Sequence, residues 1–241
     1  MNLTQLTKHI YVSDYEDYRD RPRLGYIHGT NRSVLIDAGA SKEHLLDVLE
    51  KIDELKLPRP DVVILTHWHW DHVYGLHACD FFSLCSEKTQ AKLKEMKKWE
   101  WDDESMRKRI ESSEDIVFCD EHIRLEYPDR SLIKVVEASE TFFDEVELDC
   151  GDFKIIIFEQ ETDHSEDSTF IFVPSDKVLF VGDAYSNDFH HGIPHYTKTK
   201  LLKLIQMIER LDLDIIVHGH DELQSTEAIL AFLRSEYEGI K

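Results

Sequence analysis

The sequence predicts an α/β chain (α+β in its segregation of elements) built as a four-layer αββα sandwich. Three observations carry this. Strand-like runs and amphipathic helices follow the order β-rich, helix, β, helical segment, β-rich, helix, β, helix, which suits two packed sheets with helices outside. Hydrophobic residues make up 41% of the 241 positions and aromatics 10%, enough for a large core. Glycine (9) and proline (6) are scarce, which excludes collagen-like and low-complexity classes. One domain spanning residues 1–241 is expected, with a helical insertion at 87–130.

Residues 9–37 read as a short β-meander. Residues 24–28 and 33–37 are its strands, with Gly29-Thr30-Asn31-Arg32 as the turn. Ser41 suits a helix N-cap, and Glu43 and Asp47 suit the start of that helix. Leu45, Leu46, Val48, Leu49, Ile52 and Leu55 keep helical spacing, and Pro58 and Pro60 end the run. Residues 61–65 and 80–84 read as buried strands. Residues 87–130, rich in Lys, Glu, Trp and Met, predict one or two helices that carry Trp99 and Trp101. These form either a solvated helical pair with its tryptophans tucked onto the core, or a wall over a site. Strands are expected at 132–136, 146–148, 153–158, 169–173 and 178–181, a helix at 198–211, a strand at 214–217 and a closing helix at 222–237.

Charge narrows the partners. Lys plus Arg total 28 and Asp plus Glu 49, a net charge of −21. Such a surface repels nucleic acid and anionic membranes at long range. No apolar run approaches the length of a bilayer span, so no membrane partner is expected. The first eight residues lack the apolar core of a secretion signal, and the four cysteines (Cys79, Cys85, Cys119, Cys150) form no Cys-x-x-Cys pair. A cytoplasmic protein with reduced thiols is the expectation.

The most informative stretch is Thr66-His67-Trp68-His69-Trp70-Asp71-His72, directly after the apolar run 61–65. Loops at strand ends are where α/β proteins place chemistry. In extended chain, positions i and i+2 point the same way, so His67 and His69 can grip one ion. Asp71 and His72 follow as the chain turns and can face a second. Imidazole and carboxylate donors suit a borderline cation such as Zn²⁺. A motif this short cannot close two coordination spheres. His164, Asp183 and His220, each beyond a strand candidate, can complete the set; His218 is the rival of His220.

These residues, Thr66-His67-x-His69-x-Asp71-His72, then His164, then Gly182-Asp183, then Gly219-His220, resemble the metallo-β-lactamase-fold hydrolase superfamily. The resemblance covers the chain from about Asp37 to His220. It implies a binuclear site between two sheets: His67, His69 and His164 on one metal, Asp71, His72 and His220 on the other, Asp183 bridging. It also implies that Asp37 and Asp61 orient ligand histidines. The chain departs from the family pattern at Tyr74-Gly75, at Asp163 before the third histidine, and at His218-Gly219-His220.

The function implied is a metal-dependent hydrolase of a small molecule. Two divalent ions, zinc first and iron or manganese as alternatives, would share a hydroxide that attacks an ester, lactone, thioester, amide or phosphoester centre. Asp71 is expected to orient that hydroxide. Tyr185, two residues after Asp183, is a candidate for oxyanion stabilisation or a plain wall residue. True zinc β-lactamases carry a cysteine where this chain has Asp183, and flavodiiron reductases a glutamate where it has His69. The net charge disfavours the RNA-processing branch. Glyoxalase II-like thioester hydrolysis stays open, although no basic cluster for an anionic substrate is visible near the motifs. The competing class is a redox member with iron, processing oxygen or sulfur species, or a non-catalytic metal-binding member. His190, His191 and His195 read as a solvated loop, with a lining of the pocket as the alternative.

Overall fold

The computed structural model describes residues 1–240. Seven strands form the first sheet, in chain order across it: β1 (Leu3–Gln5), β2 (Ile10–Ser13), β3 (Gly25–His28), β4 (Ser33–Ile36), β5 (Val62–Ile64), β6 (Phe82–Ser86) and β7 (Glu140–Phe142). Pairing is antiparallel as far as β4 and parallel from β4 to β7. The second sheet comprises β8 (Glu145–Asp149), β9 (Lys154–Glu159), β10 (Thr169–Val173), β11 (Val178–Gly182), β12 (Ile215–His218) and β13 (Gln224–Ser225). Its single parallel pair is β11 with β12. The helices are α1 (Lys42–Glu54), α2 (Trp70–Val73), α3 (Glu87–Met96), α4 (Asp103–Ser112), α5 (Val117–Glu126), α6 (Lys198–Arg210) and α7 (Thr226–Gly239). None is long and apolar enough to cross a membrane.

The period-2 alternation of the strands sorts apolar side chains into separate cores. In β4, Val34 and Ile36 point between the sheets, whereas Leu35 points outward under α1. In β10, Ile171 and Val173 face the inter-sheet core, and Phe170 and Phe172 pack against α6 and α7. A helix layer, two sheets and a second helix layer result, which is the αββα sandwich expected. In α1, Ser41 caps the helix by accepting the His44 N–H, and Leu45, Val48, Leu49 and Ile52 are buried. Leu46 and Leu55 fall off that stripe and are exposed, because the buried arc takes only the i, i+3, i+4, i+7 positions.

Two expectations need correction. Residues 132–136 form no strand: the chain there runs through a 3-10 turn (Arg130–Leu132) and irregular backbone, with Ile133 packed into the outer core. The strand that pairs with β6 comes later, as β7. Residues 87–130 hold three helices rather than one or two. Trp99 and Trp101 join the outer core and hold the Arg109 guanidinium between them, at 4.6 and 4.7 Å from the ring centroids. Arg109 is buried and also lies 3.6 Å from Asp115. The tryptophans therefore fasten α4 to the core, and α5 continues from it as a wall beside the histidine cluster.

The topology puts the C-terminal ends of β4, β5, β9, β11 and β12 on one edge of the sandwich. The loops leaving those ends carry Asp37, Thr66–His72, His164, Asp183 and His220. A hydrogen bond from the Thr169 amide to the Thr66 carbonyl (2.7 Å) ties the two sheets together at this edge.

Candidate metal centre

The first donors come from the loop between β5 and α2. Asp37, just past β4, adopts a left-handed backbone (φ 63°), an uncommon conformation for a residue other than glycine. In that pose its carboxylate accepts the Thr66 N–H (2.7 Å), the Thr66 hydroxyl (2.8 Å) and the His72 Nδ1–H (2.8 Å). The Thr66 hydroxyl proton is thereby committed to Asp37, so its oxygen is left to accept Nδ1–H of His67 (3.0 Å). Both imidazoles are fixed as Nδ1–H tautomers with Nε2 aimed into the cluster.

Two donor groups result. The ligand atoms of His67, His69 and His164 lie within 4.8 Å of one another, and so do those of Asp71, His72, Asp183 and His220. His164 Nε2 faces His67 Nε2 at 3.3 Å. His220 Nε2 lies 2.9 Å from Asp71 Oδ2, and His72 Nε2 lies 3.1 Å from the same oxygen. Asp183 Oδ2 is 3.4 Å from Nε2 of both His72 and His220, and 3.7 Å from Nε2 of His164. All seven predicted donors therefore meet in one cleft.

Close backbone approach makes this possible. A Cβ on Gly219 would stand 2.4 Å from Asp183 Oδ1 and 3.1 Å from His72 Cε1. Gly182 has φ +52°, and a Cβ there would stand 2.5 Å from the Thr66 hydroxyl oxygen. Only glycine fits either position.

Electrostatics fit cations. Burial lowers the pKa of His67 and His69 well below the usual histidine value and that of His164 to about 4, leaving neutral imidazoles with free lone pairs. In the second group burial also opposes charge, but carboxylates outweigh it. Asp71 and Asp183 carry His72 well up, and Asp183 and Asp71 bring His220 to about 9. Both carboxylates are held low against their own burial, Asp183 by His220 and His72, Asp71 by His72 and His220. This half of the cleft draws in positive charge. Buried His72 Nε2 and Asp183 Oδ1 have no hydrogen-bond partner, as expected of atoms shaped for a metal. The residues present fit a pair of divalent ions.

Several sequence expectations resolve differently. Asp61 orients no histidine: it sits at the opposite end of β5 from His67 and accepts the Ser33 N–H at 2.8 Å. Tyr185 is buried beside the cluster, but its hydroxyl donates to Asp221 (2.8 Å) and its ring packs on His218 at 4.1 Å between centroids. His218 stays outside both donor groups. Its Nδ1 accepts the His220 N–H at 3.0 Å, which steadies His220 as the donor. His190 stacks on His69 (centroids 5.4 Å apart) and lines the cleft, whereas His191 and His195 are exposed. Asp20, which no motif marks, also reaches the cluster. Its left-handed backbone (φ 55°) brings Oδ1 to 3.4 Å from His220 Nδ1. No sequence signal could have found it, because 200 positions separate the two residues.

Two cavities open onto the donors. One, of about 350 Å³, is walled by Ile116, Phe118 and Cys119 at the start of α5 and by Phe189. The other, of about 740 Å³, runs from His69 and His164 past Trp68, Lys88 and Lys92.

The fold has counterparts among solved structures. A metallo-β-lactamase from Pontibacter korlensis aligns over 97% of this chain and 98% of its own, at 18% identity and TM-score 0.66. The DIM-1 metallo-β-lactamase aligns over 100% and 98%, at 17% identity and TM-score 0.69. A double mutant of the sec-alkyl sulfatase PisA1 aligns over 98% of this chain but only 41% of its own, at 12% identity and TM-score 0.72. At these identities the likeness is one of fold. No curated protein matches the chain. The family model of the metallo-β-lactamase superfamily matches residues 24–220, a span that contains every donor of the cleft, and the chain belongs to that superfamily.

Proposed function

We propose that this protein is a binuclear metal-dependent hydrolase that cleaves an ester, lactone, thioester, amide or phosphoester bond of a small molecule. The observation that supports this reading is the position of Asp183, one carboxylate within reach of both donor groups. Imidazole and carboxylate donors suit zinc, with iron or manganese as alternatives. When bound, such an ion pair supplies Lewis acidity to the substrate oxygen and brings the pKa of a coordinated water toward neutrality.

The chain's own residues do the remaining work. Asp37 and Thr66 hold His72 and His67 in the donor tautomer. Asp71 presents a carboxylate oxygen at the centre of the cleft, where it orients the attacking water by accepting its hydrogen bond. Ile116, Phe118 and Phe189 present an apolar wall on one side of the cleft. Cys119 lines the cavity beside the donors, and burial pushes its pKa well above the usual cysteine value, which supports a mechanism without a cysteine nucleophile. The four cysteines are free, which is consistent with the reducing cytoplasm.

Metal analysis together with an ester, lactone, thioester and phosphodiester panel tests the proposal. The expected result is two ions per chain and chelator-sensitive turnover of at least one class. His67→Ala should lose metal and at least 100-fold in kcat/KM. Unchanged turnover in His67→Ala would refute the reading. Iron with oxygen or persulfide consumption and no hydrolysis would move the protein to the redox class.

A further inference from the structure

The chemistry lining the two cavities bears on what the cleft accepts. Resting on the hydrolase reading above, we infer that the substrate is an uncharged molecule whose apolar substituent occupies the cavity walled by Ile116, Phe118 and Phe189, and that anionic substrates are disfavoured.

Size and wall chemistry come first. A cavity of about 350 Å³ lies at the lower end of the roughly 300–1,000 Å³ typical of ligand pockets, which suits a small substituent. Phe118 and Phe189 line it, yet they remain 49% and 45% exposed. Both rings are therefore accessible to a ligand rather than sealed in the core, Phe118 keeping one face against His122 (centroids 3.9 Å apart). The cavity is continuous with Asp71, Asp183 and His164, so a group seated there is attached within reach of the reacting centre.

Charge argues the second half. Among the described residues, no lysine or arginine lines this cavity, and its one carboxylate outside the donor set is Asp20. The larger groove does hold Lys88, Lys92 and Lys200. Each is already committed. Lys88 pairs with Glu159, Lys92 with Glu95 (3.2 Å) while lying 5.3 Å from the Trp68 ring centroid, and Lys200 with Glu161 (2.8 Å). Six carboxyl side chains line the same groove against these three lysines. Away from the donor set, an anionic substituent would meet acidic walls and, among the described residues, no unpaired lysine or arginine on either side, whereas a neutral apolar one loses nothing to them. Among the bonds the hydrolase reading allows, this favours neutral esters, lactones and amides over phosphomonoesters and carboxylate-bearing thioesters.

The test uses the zinc-loaded protein and two readouts. Calorimetric titration compares butanamide, hexanamide and octanamide with the carboxylate-ended analogue of hexanamide, adipamic acid. Turnover compares p-nitrophenyl acetate, butyrate and hexanoate with the mono-p-nitrophenyl ester of succinic acid. Affinity and kcat/KM should rise about three- to fourfold per methylene while the chain fits the cavity. Each carboxylate-ended analogue should fall at least tenfold below its neutral partner. Phe118→Ala and Phe189→Ala should flatten the chain-length dependence. Affinities independent of chain length, or equal for the carboxylate-ended analogues, would overturn the inference. Chain-length-dependent amide binding with no turnover anywhere in the ester, lactone, thioester and phosphodiester panel would instead remove the hydrolase reading and reduce this inference to a binding preference of the cavity for neutral apolar groups.

Discussion

Arg21 and Glu126 form a two-pronged ion pair sealed from solvent: Nε donates to Oε2 at 2.9 Å and Nη2 to Oε1 at 2.8 Å, with the Glu126 side chain fully buried. Ser41, the N-cap of α1, also donates to Glu126, and Arg21 reaches Asp47 on the same helix at 3.2 Å. The pair joins three things: the segment carrying Asp20, the start of α1, and the last turn of α5, whose first turn walls the cleft. Removing one partner of a buried pair strands the other charge, at a cost of about 3–5 kcal/mol. Arg21→Met should therefore lower urea stability by about that amount. The double variant Arg21→Met/Glu126→Leu should recover more than half of the loss. A single variant as stable as the parent would show that the pair contributes nothing.

Asp37→Asn isolates the orientation of the histidines. Asparagine tolerates the left-handed backbone of this position, so the fold should survive. An amide cannot accept all three donors that the carboxylate accepts, and His72 loses its anchor. Metal affinity should fall about 10- to 100-fold, read by competition with a chromophoric chelator. Wild-type affinity in this variant would mean that Asp37 does not set the donor tautomer.

Gly219→Ala tests close packing in the second donor group. The added methyl would meet Asp183 Oδ1 at 2.4 Å, so the carboxylate must move. After dialysis the metal content should drop from two ions per chain toward one. Retention of both ions at parental affinity would count against the assignment of Asp183 to both groups.

Acid sensitivity should trace in part to His44. Burial lowers its pKa from 6.5 to about 3, and Nδ1 accepts the Ala40 N–H. The folded state thus holds the neutral imidazole. Its stability contribution is fully present above pH 6.5 and is lost progressively as pH falls from 6.5 toward 3, by about 1.4 kcal/mol per pH unit. Asp115 and Asp167, raised to about 6 by burial, act with the opposite sign and add stability as pH falls from about 6 toward 3.8. Comparison with His44→Gln separates the two effects. Between pH 6.5 and 5 the parent should lose about 2 kcal/mol relative to the variant in urea titrations. Parallel stability curves would remove His44 as the cause.

Local chemistry was legible wherever neighbours in sequence share one task. His67, His69, Asp71 and His72 announce themselves because one loop leaving one strand carries all four. Ser41 reads as a cap and residues 169–173 as a strand because capping and strand patterning are local rules. Relations across the chain stayed hidden from those rules. Asp61 stands one short strand away from the cluster it was expected to serve, and residues 132–136, apolar but for Lys134, form no strand. Tyr185 is only two residues from Asp183 in sequence, but its hydroxyl is turned to Asp221.

From the order of its residues alone, this chain determined two sheets flanked by helices and the seven side chains able to grip metal. Tertiary structure alone decided that Asp20 would approach His220, that α5 would wall the cleft, and that three lysines would reach its rim already neutralised. The reason is physical: donor type and backbone periodicity belong to short stretches of chain, whereas charge balance and cavity shape arise only when distant segments are packed together.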